Sequence, residues 1–474
     1  MSAKSVRIGS GSAYWGDAVE PAVELAERGD VEYIAFDLLA ELTMSIFQRA
    51  RMRDPAKGFI RDTVQILERV LPAAARRGVR LIINGGAANP EAAGRAVRAL
   101  ADDLGLPDLR IATVTGDDIL GRLDELADGG WAPVNLDTGE RGLDGIRDRL
   151  VAAHAYIGSE AIVAALAEGA DVVVTGRVAD SSLYVAPMMH EFGWSFDDPD
   201  WDRLGAAVTL AHIVECSACC TGGMSNQWES VREPWRIGFP IVEVTDGPDG
   251  VRGVIGKVPG SGGLVNEWTI KEHLLYEVQD PANYLMPDAV ADFTTLALRD
   301  LGGDRVEVTG MSGRPRPGTL KAQLGFEDGW LAEGLVVQTW PRALDKARHA
   351  ERFLRRRYED LKVGIDTLDV SYLGLNSVLG GTAPVPADLD PPEVCLRVAA
   401  RTPTRADADA VRREITHLWT LGPVGSAFGS PMPLRQVVGL WPTLVPRAAV
   451  RPVHSFVDGA QTGSARTESA VSGS

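Results

Sequence analysis

Lysine is scarce in this 474-residue chain, occurring only at Lys4, Lys57, Lys257, Lys271, Lys321, Lys346 and Lys362, while the rest of its 48 basic residues are Arg. Base composition skewed toward GC accounts for the skew itself, yet it makes each Lys informative, because ammonium and guanidinium groups differ in geometry and hydration. Positive charge is also short overall: 65 acidic residues leave a net charge of −17. That excludes a general nucleic-acid binder, which needs a basic face for phosphates, and electrostatic adhesion to anionic membranes. No apolar run reaches the roughly 18 residues of a membrane span. The opening MSAKSVRIGSGSAYWGD has no apolar core of a secretory signal, so a cytoplasmic location is expected. Four cysteines, Cys216, Cys219, Cys220 and Cys395, make no disulfide framework, and Cys216-x-x-Cys219 lacks the second pair of a structural zinc site.

What is present is a core-forming composition, 45% hydrophobic with 24% charged residues. Over the first two hundred residues β-rich runs (Val6–Gly11, Tyr33–Leu38, Val79–Asn84, Leu109–Val114, Asp171–Thr175) alternate with helical stretches (Ala18–Arg28, Thr63–Arg77, Pro90–Leu104, Ser159–Glu168). This alternation predicts an α/β fold with a largely parallel sheet flanked by helices in the N-terminal half. Residues 1–235 are expected to form this domain. A β-rich middle lobe follows over 236–345, then a small C-terminal α+β unit over 346–456 and a flexible tail over 457–474.

In open α/β sheets ligands bind at the carboxyl ends of the strands. The turns there are Ser10-Gly11-Ser12, Asn84-Gly85-Gly86, Thr115-Gly116-Asp117 and Thr175-Gly176-Arg177. Arg177, with Asp180 and Ser181 at the next helix start, makes an anion site, or else pairs with Asp180 and only fixes the turn. Asp37 and Glu41 share a face if helical and then supply paired carboxylates, or else are capping or solvated groups. His212 and Glu215 share a helix face beside Cys216, giving candidate acid, base and nucleophile, or a tightly packed buried helix. The Thr221-Gly222-Gly223 turn lets a substrate approach the backbone. Lys257, with Ser261, Gly262 and Gly263, reads as an anion cradle or a plain turn; it is not a Walker motif, and no dinucleotide fingerprint follows the first strand. Lysine scarcity makes Lys257 the first Lys to mutate.

Taken in order, GSGSAYWGD (9–17), FDLLAELT (36–43), NGGAANPEAA (84–93), GADVVVTGRVADSSL (169–183), HIVEC (212–216), TGG (221–223), KVPGSGG (257–263) and LLYEVQDPANYLMPD (274–288) resemble the AtuA-type acyclic terpene utilisation family over roughly residues 6–450. The resemblance implies catabolism of branched unsaturated acids or their acyl-CoA forms, a chemistry that needs hydration or dehydration. On this basis Glu215, His212, Cys216, Asp37 and Glu41 are the catalytic candidates. Ser10, Ser12, Asn84, Gly85, Gly86, Arg177, Asp180, Thr221, Gly222, Gly223, Lys257, Ser261, Gly262 and Gly263 are the substrate-binding ones. The expected ligand is a small carboxylate or acyl thioester, with CoA only as part of the substrate, and no cofactor or metal ligand set is assigned. A homo-oligomer, with room for a small partner subunit, is expected. Two alternatives stay open: a non-catalytic acyl-binding or complex-forming subunit, and a metal-dependent enzyme using His212, Glu215 and a carboxylate from Asp37 or Glu41.

Overall fold

The computed structural model describes residues 4–386, 388–428 and 432–458. The expected tail over 457–474 falls almost wholly outside them. Two compact units divide the described residues: those within 1–145, 151–324 and 441–474 form the first, and those within 146–150 and 325–440 form the second.

The first unit is built on ten strands: β1 (Ser5–Ser12), β2 (Tyr33–Phe36), β3 (Arg80–Ile83), β4 (Ile111–Thr115), β5 (Val172–Thr175), β6 (Pro240–Gly247), β7 (Gly250–Lys257), β8 (Ala297–Asp300), β9 (Val306–Thr309) and β10 (Val453–Phe456). Their order across the sheet is β8-β9-β7-β6-β1-β2-β3-β5-β4-β10. Only the middle run from β1 to β4 is parallel. All the other junctions are antiparallel, so the sheet as a whole is mixed and not largely parallel. The cause is local. β6 and β7 are separated only by Pro248-Asp249, and a hairpin that tight joins strands antiparallel. The β-rich stretch after residue 236 thus extends the outer edge of β1.

The central strands are apolar and buried throughout, as covering on both faces requires. Successive side chains of a strand point to opposite faces. Ile34, Phe36, Leu81, Ile83, Val172 and Val174 pack on one side against α1 (Glu20–Arg28), α3 (Asp62–Arg77) and α4 (Pro90–Asp103), joined there by Met44 and Phe47 of α2 (Glu41–Arg53). Residues of the other parity face α6 (Ser182–Phe192): the Tyr33 hydroxyl donates to Glu191 at 2.6 Å and Tyr184 donates to Ser10 at 2.9 Å. Helix α5 is Glu160–Ala167. Local signals set the helix ends. Asn89 caps α4 by accepting from Ala92 N, with Pro90 at the first position. Gly78, at φ +69°, ends α3 in the left-handed conformation. Helix α7 (Trp201–Glu215), capped by Asp200, is buried from Leu204 to Glu215, so its polar side chains His212 and Glu215 must find partners inside. Asn266 caps α8 (Glu267–Leu275).

In the second unit, part of strand Thr319–Thr339 pairs antiparallel with Glu393–Thr402, which pairs in turn with Thr367–Leu373. Helices α9 (Ala343–Asp360) and α10 (Arg405–Leu421) cover it through Leu344, Leu354, Val411 and Ile415, packed on Val336, Leu396 and Val398. This is an α+β arrangement. No helix of the described residues is long and apolar enough to cross a membrane.

Candidate functional site

The turns after the parallel strands are laced together. Asn84 Oδ1 accepts from Leu38 N at 2.7 Å, and its Nδ2 donates to Asp37 Oδ1 at 2.5 Å. Ser12 Oγ donates to the Asp37 carbonyl at 2.8 Å. Asp117 Oδ2 accepts from Arg177 N at 3.0 Å and faces His154 Nδ1 at 2.9 Å. Arg177 is 1% exposed. It donates from Nε to the Val178 carbonyl at 2.8 Å and from Nη1 to the Leu39 carbonyl at 3.1 Å, pairs with Asp180, and lies 4.4 Å over the Tyr156 ring. Every face of this guanidinium is thereby engaged by protein. Gly85 and Gly86 serve packing, because a Cβ would lie 1.9 Å from Thr63 Oγ1 and 2.5 Å from the Thr175 carbonyl oxygen respectively.

Asp37 and Glu41 do not share a helix face. Residues 37–40 carry no helix, and α2 begins at Glu41 after an extended Ala40. Burial holds the Asp37 carboxyl well above the usual carboxylate range, Asp180 adds to this and Arg177 opposes it. Glu41 lies below that range: burial works against ionisation there, but the helix-start backbone N–H and Lys321, 3.2 Å away, outweigh it.

His212 and Glu215 do share the inner face of α7, in its last turn. His212 Nδ1 lies 2.9 Å from Glu215 Oε1 and 3.3 Å from the Tyr284 hydroxyl, and Nε2 lies 3.2 Å from the Leu274 carbonyl. A carbonyl only accepts, so Nε2 carries the proton and Nδ1 presents its lone pair. Burial pushes His212 down and Glu215 well up, the latter reinforced by Asp180 and Glu277. A neutral Glu215 carboxyl donating through Oε1 satisfies His212 Nδ1. Glu215 Oε2 is buried and has no hydrogen-bond partner. Around them His212 stacks on His273 and Phe293, with centroids 5.5 and 5.4 Å apart, and His273 is itself pushed down to about 3 by burial.

In front of this buried group opens a cavity of about 420 Å³. Glu41, Tyr156, Asp180, Glu277, Tyr284 and Lys321 supply its polar wall, and Leu136, Leu285, Met286, Leu320 and Leu444 line the apolar one. Among the sequence candidates only Glu41 and Asp180 line it directly. Asp180 acts electrostatically on Asp37 and Glu215, which are buried.

The other candidates are placed elsewhere. Cys216 Sγ lies 3.2 Å from the Tyr276 hydroxyl, and burial pushes the thiols of Cys216, Cys219 and Cys220 up, away from the thiolate form a nucleophile needs. Gly223 and Cys219 line a smaller cavity of about 200 Å³ with His273 and Tyr276. Gly222 (φ +108°) makes the turn that follows Thr221. Lys257 pairs with Asp304 at 3.0 Å and donates to the Ser261 carbonyl. Gly262 N and Gly263 N donate to the Arg236 and Arg232 carbonyls, so that loop spends its donors on the chain.

Glu277, Tyr284, Tyr156 and Lys321 went unmarked in the sequence. Glu277 and Tyr284 sit in the LLYEVQDPANYLMPD stretch, and Lys321 was one of the scarce lysines. These signals held them without singling them out.

The scaffold is thus mixed α/β, with a buried His–carboxylate pair behind a half-apolar cavity. The chain belongs to the acyclic terpene utilisation protein AtuA family, whose model matches residues 6–456. No curated protein and no solved structure matches it.

Proposed function

We propose that the protein is an acid–base enzyme of the hydratase or lyase type, acting on a branched unsaturated carboxylic acid carried as a thioester. The observation behind this reading is the division of the 420 Å³ cavity into an apolar wall and a wall of carboxylates, tyrosines and one lysine. Cavities of this size that are mostly apolar with a few convergent polar groups are the usual form of small-molecule sites. A branched acyl chain lies on Leu136, Leu285, Met286, Leu320 and Leu444. Lys321, half-exposed on the cavity wall and paired there with Glu41 at 3.2 Å, is the cation for the thioester carbonyl, since Arg177 is buried and consumed by Leu39, Val178 and Asp180. Three acidic side chains, Glu41, Asp180 and Glu277, disfavour a free carboxylate beside them and favour the uncharged thioester.

Glu277, whose side chain is 45% exposed, is the group placed to take a proton from water as its oxygen bonds the β-carbon. A proton returned to the α-carbon completes the addition, and the reverse order gives dehydration. The His212–Glu215 pair behind it holds a neutral reserve of one proton. The test is incubation of the full chain with branched 2-enoyl thioesters and mass detection of the hydrated product. Loss of product in Glu215→Gln and Glu277→Gln with unchanged Tm supports the reading. No product from any thioester, with tight acyl binding by the isolated chain, replaces it with the acyl-binding subunit.

A further inference from the structure

We propose that His212, Glu215 and Glu277 form a binding site for one divalent transition-metal ion at the inner end of the cavity. Their ligand atoms all lie within 4.8 Å of one another, and His212 Nδ1 is 4.0 Å from Glu277 Oε1. Two ligands on one ion stand at most about 4.2 Å apart, twice a bond of about 2.1 Å. A small rotation of Glu277, the mobile member because its side chain is 45% exposed, closes the set.

Three independent features point the group at an ion. Glu215 Oε2 is buried with no partner, although its residue is only 3% exposed. An orphaned carboxylate oxygen in such a place costs free energy unless something else satisfies it. The Leu274 carbonyl, by holding the proton on Nε2, fixes the tautomer that turns the Nδ1 lone pair toward both carboxylates. Outer hydrogen bonds of this kind orient metal-binding imidazoles. Finally, Glu277 lines the cavity, giving an ion a route in and leaving an open coordination position that faces the substrate space.

One imidazole and two carboxylates suit Zn²⁺, Mn²⁺ or Fe²⁺ and not a soft thiophilic ion. The third ligand is Glu277, from the irregular stretch after α8, in place of Asp37 or Glu41. An ion here offsets the acidic wall and polarises a carbonyl or a water at the open position. The site draws on the same three residues as the hydration reading, but in another role: an ion held there would displace the proton shared by His212 and Glu215 and would itself activate the water in place of Glu277.

The experiment is calorimetric titration of chelator-treated full-length protein with Zn²⁺ and with Mn²⁺, followed by thermal denaturation with and without ion. Binding of one ion per chain, a raised Tm, and at least a tenfold loss of affinity in Glu277→Gln are expected. Glu277 is solvent-facing, so its variant should keep the ion-free Tm. Cys219→Ala should bind as the wild type does. Absence of saturable binding, undiminished affinity in Glu277→Gln, or loss of affinity in Cys219→Ala each overturns the site. An ion bound through Glu277 without any thioester hydration keeps the site and removes the proposed reaction.

Discussion

Replacing Asp37 by Asn should stabilise the protein, and by an amount that grows with pH. Asp37 Oδ1 accepts from Asn84 Nδ2 at 2.5 Å and from Leu39 N at 3.1 Å, and an amide oxygen can accept both. The variant therefore keeps the shape and the acceptor but never ionises. In the wild type, burial first and Asp180 second favour the neutral carboxyl, so the folded pKa lies well above the ordinary 3.8. The unfolded chain releases this proton near that ordinary value. Stability owed to the neutral form is complete below it and is lost as pH rises toward the folded pKa. Each pH unit in that window costs the wild type about 1.4 kcal/mol, so the lead of the Asn variant should widen by that amount per unit until the folded pKa is reached. Other buried acids are common to both proteins and cancel in the difference. Urea titrations from pH 4 to 8 in the presence of a chelator measure it. The two proteins should agree at the acid end and diverge linearly before a plateau. A flat difference, or a variant weaker at every pH, would mean that Asp37 is ionised in the fold with Arg177 as its counter-ion, and the burial argument would fail.

Arg177→Met strips donors from the Leu39 and Val178 carbonyls and should cost about 3 kcal/mol in denaturant titrations, with Asp180 partly rehydrated because its side chain is 38% exposed. Lys321→Met should raise KM about tenfold for an active thioester, the worth of one charge-assisted hydrogen bond, with little change in Tm. Lys257→Met should do the reverse, lowering stability by about 1–2 kcal/mol through the lost Asp304 pair while leaving KM alone; equal effects on KM would return that loop to the site. Gly86→Ala sets a Cβ 2.5 Å from the Thr175 carbonyl oxygen and 2.8 Å from Pro90 Cα, and should destabilise by at least about 2 kcal/mol, whereas Gly121→Ala meets nothing within 4 Å and should be near neutral.

The parallel strands were readable because both of their faces are buried, which leaves an apolar run such as Tyr33–Phe36 or Val172–Thr175 between turn residues. Their carboxyl ends were readable for the same reason, and Asp37, Asn84, Arg177 and Asp180 do meet there. Strand pairing was not, because a strand's own pattern does not name its neighbour: the β-rich character after residue 236 could be seen, but not that β6 docks along β1. The i,i+4 argument for Asp37 and Glu41 failed because it assumed a helix where the chain is extended. The Lys257 loop misled in another way. Its glycines are there because a Cβ at Gly262 would sit 2.3 Å from the Glu233 carbonyl oxygen, a requirement that looks the same in sequence as an anion cradle. Glu277 lies in an irregular stretch where no period marks an inward side, and only its distances to His212 and Glu215 give it a place.

The strand β10 has a consequence for synthesis of the chain. It seals the β4 edge of the sheet, pairing Val453 with Thr115 through to Phe456 with Ala112. Thr113 and Ser455, which face each other across that seam, are 342 residues apart. A ribosome adding about 5–20 residues per second therefore leaves β4 unsealed for tens of seconds after it emerges. Through that interval its backbone groups are open to strands of neighbouring nascent chains, so a chaperone that occupies this edge, or a slower-growing culture, should improve the soluble yield more than any change at the cavity.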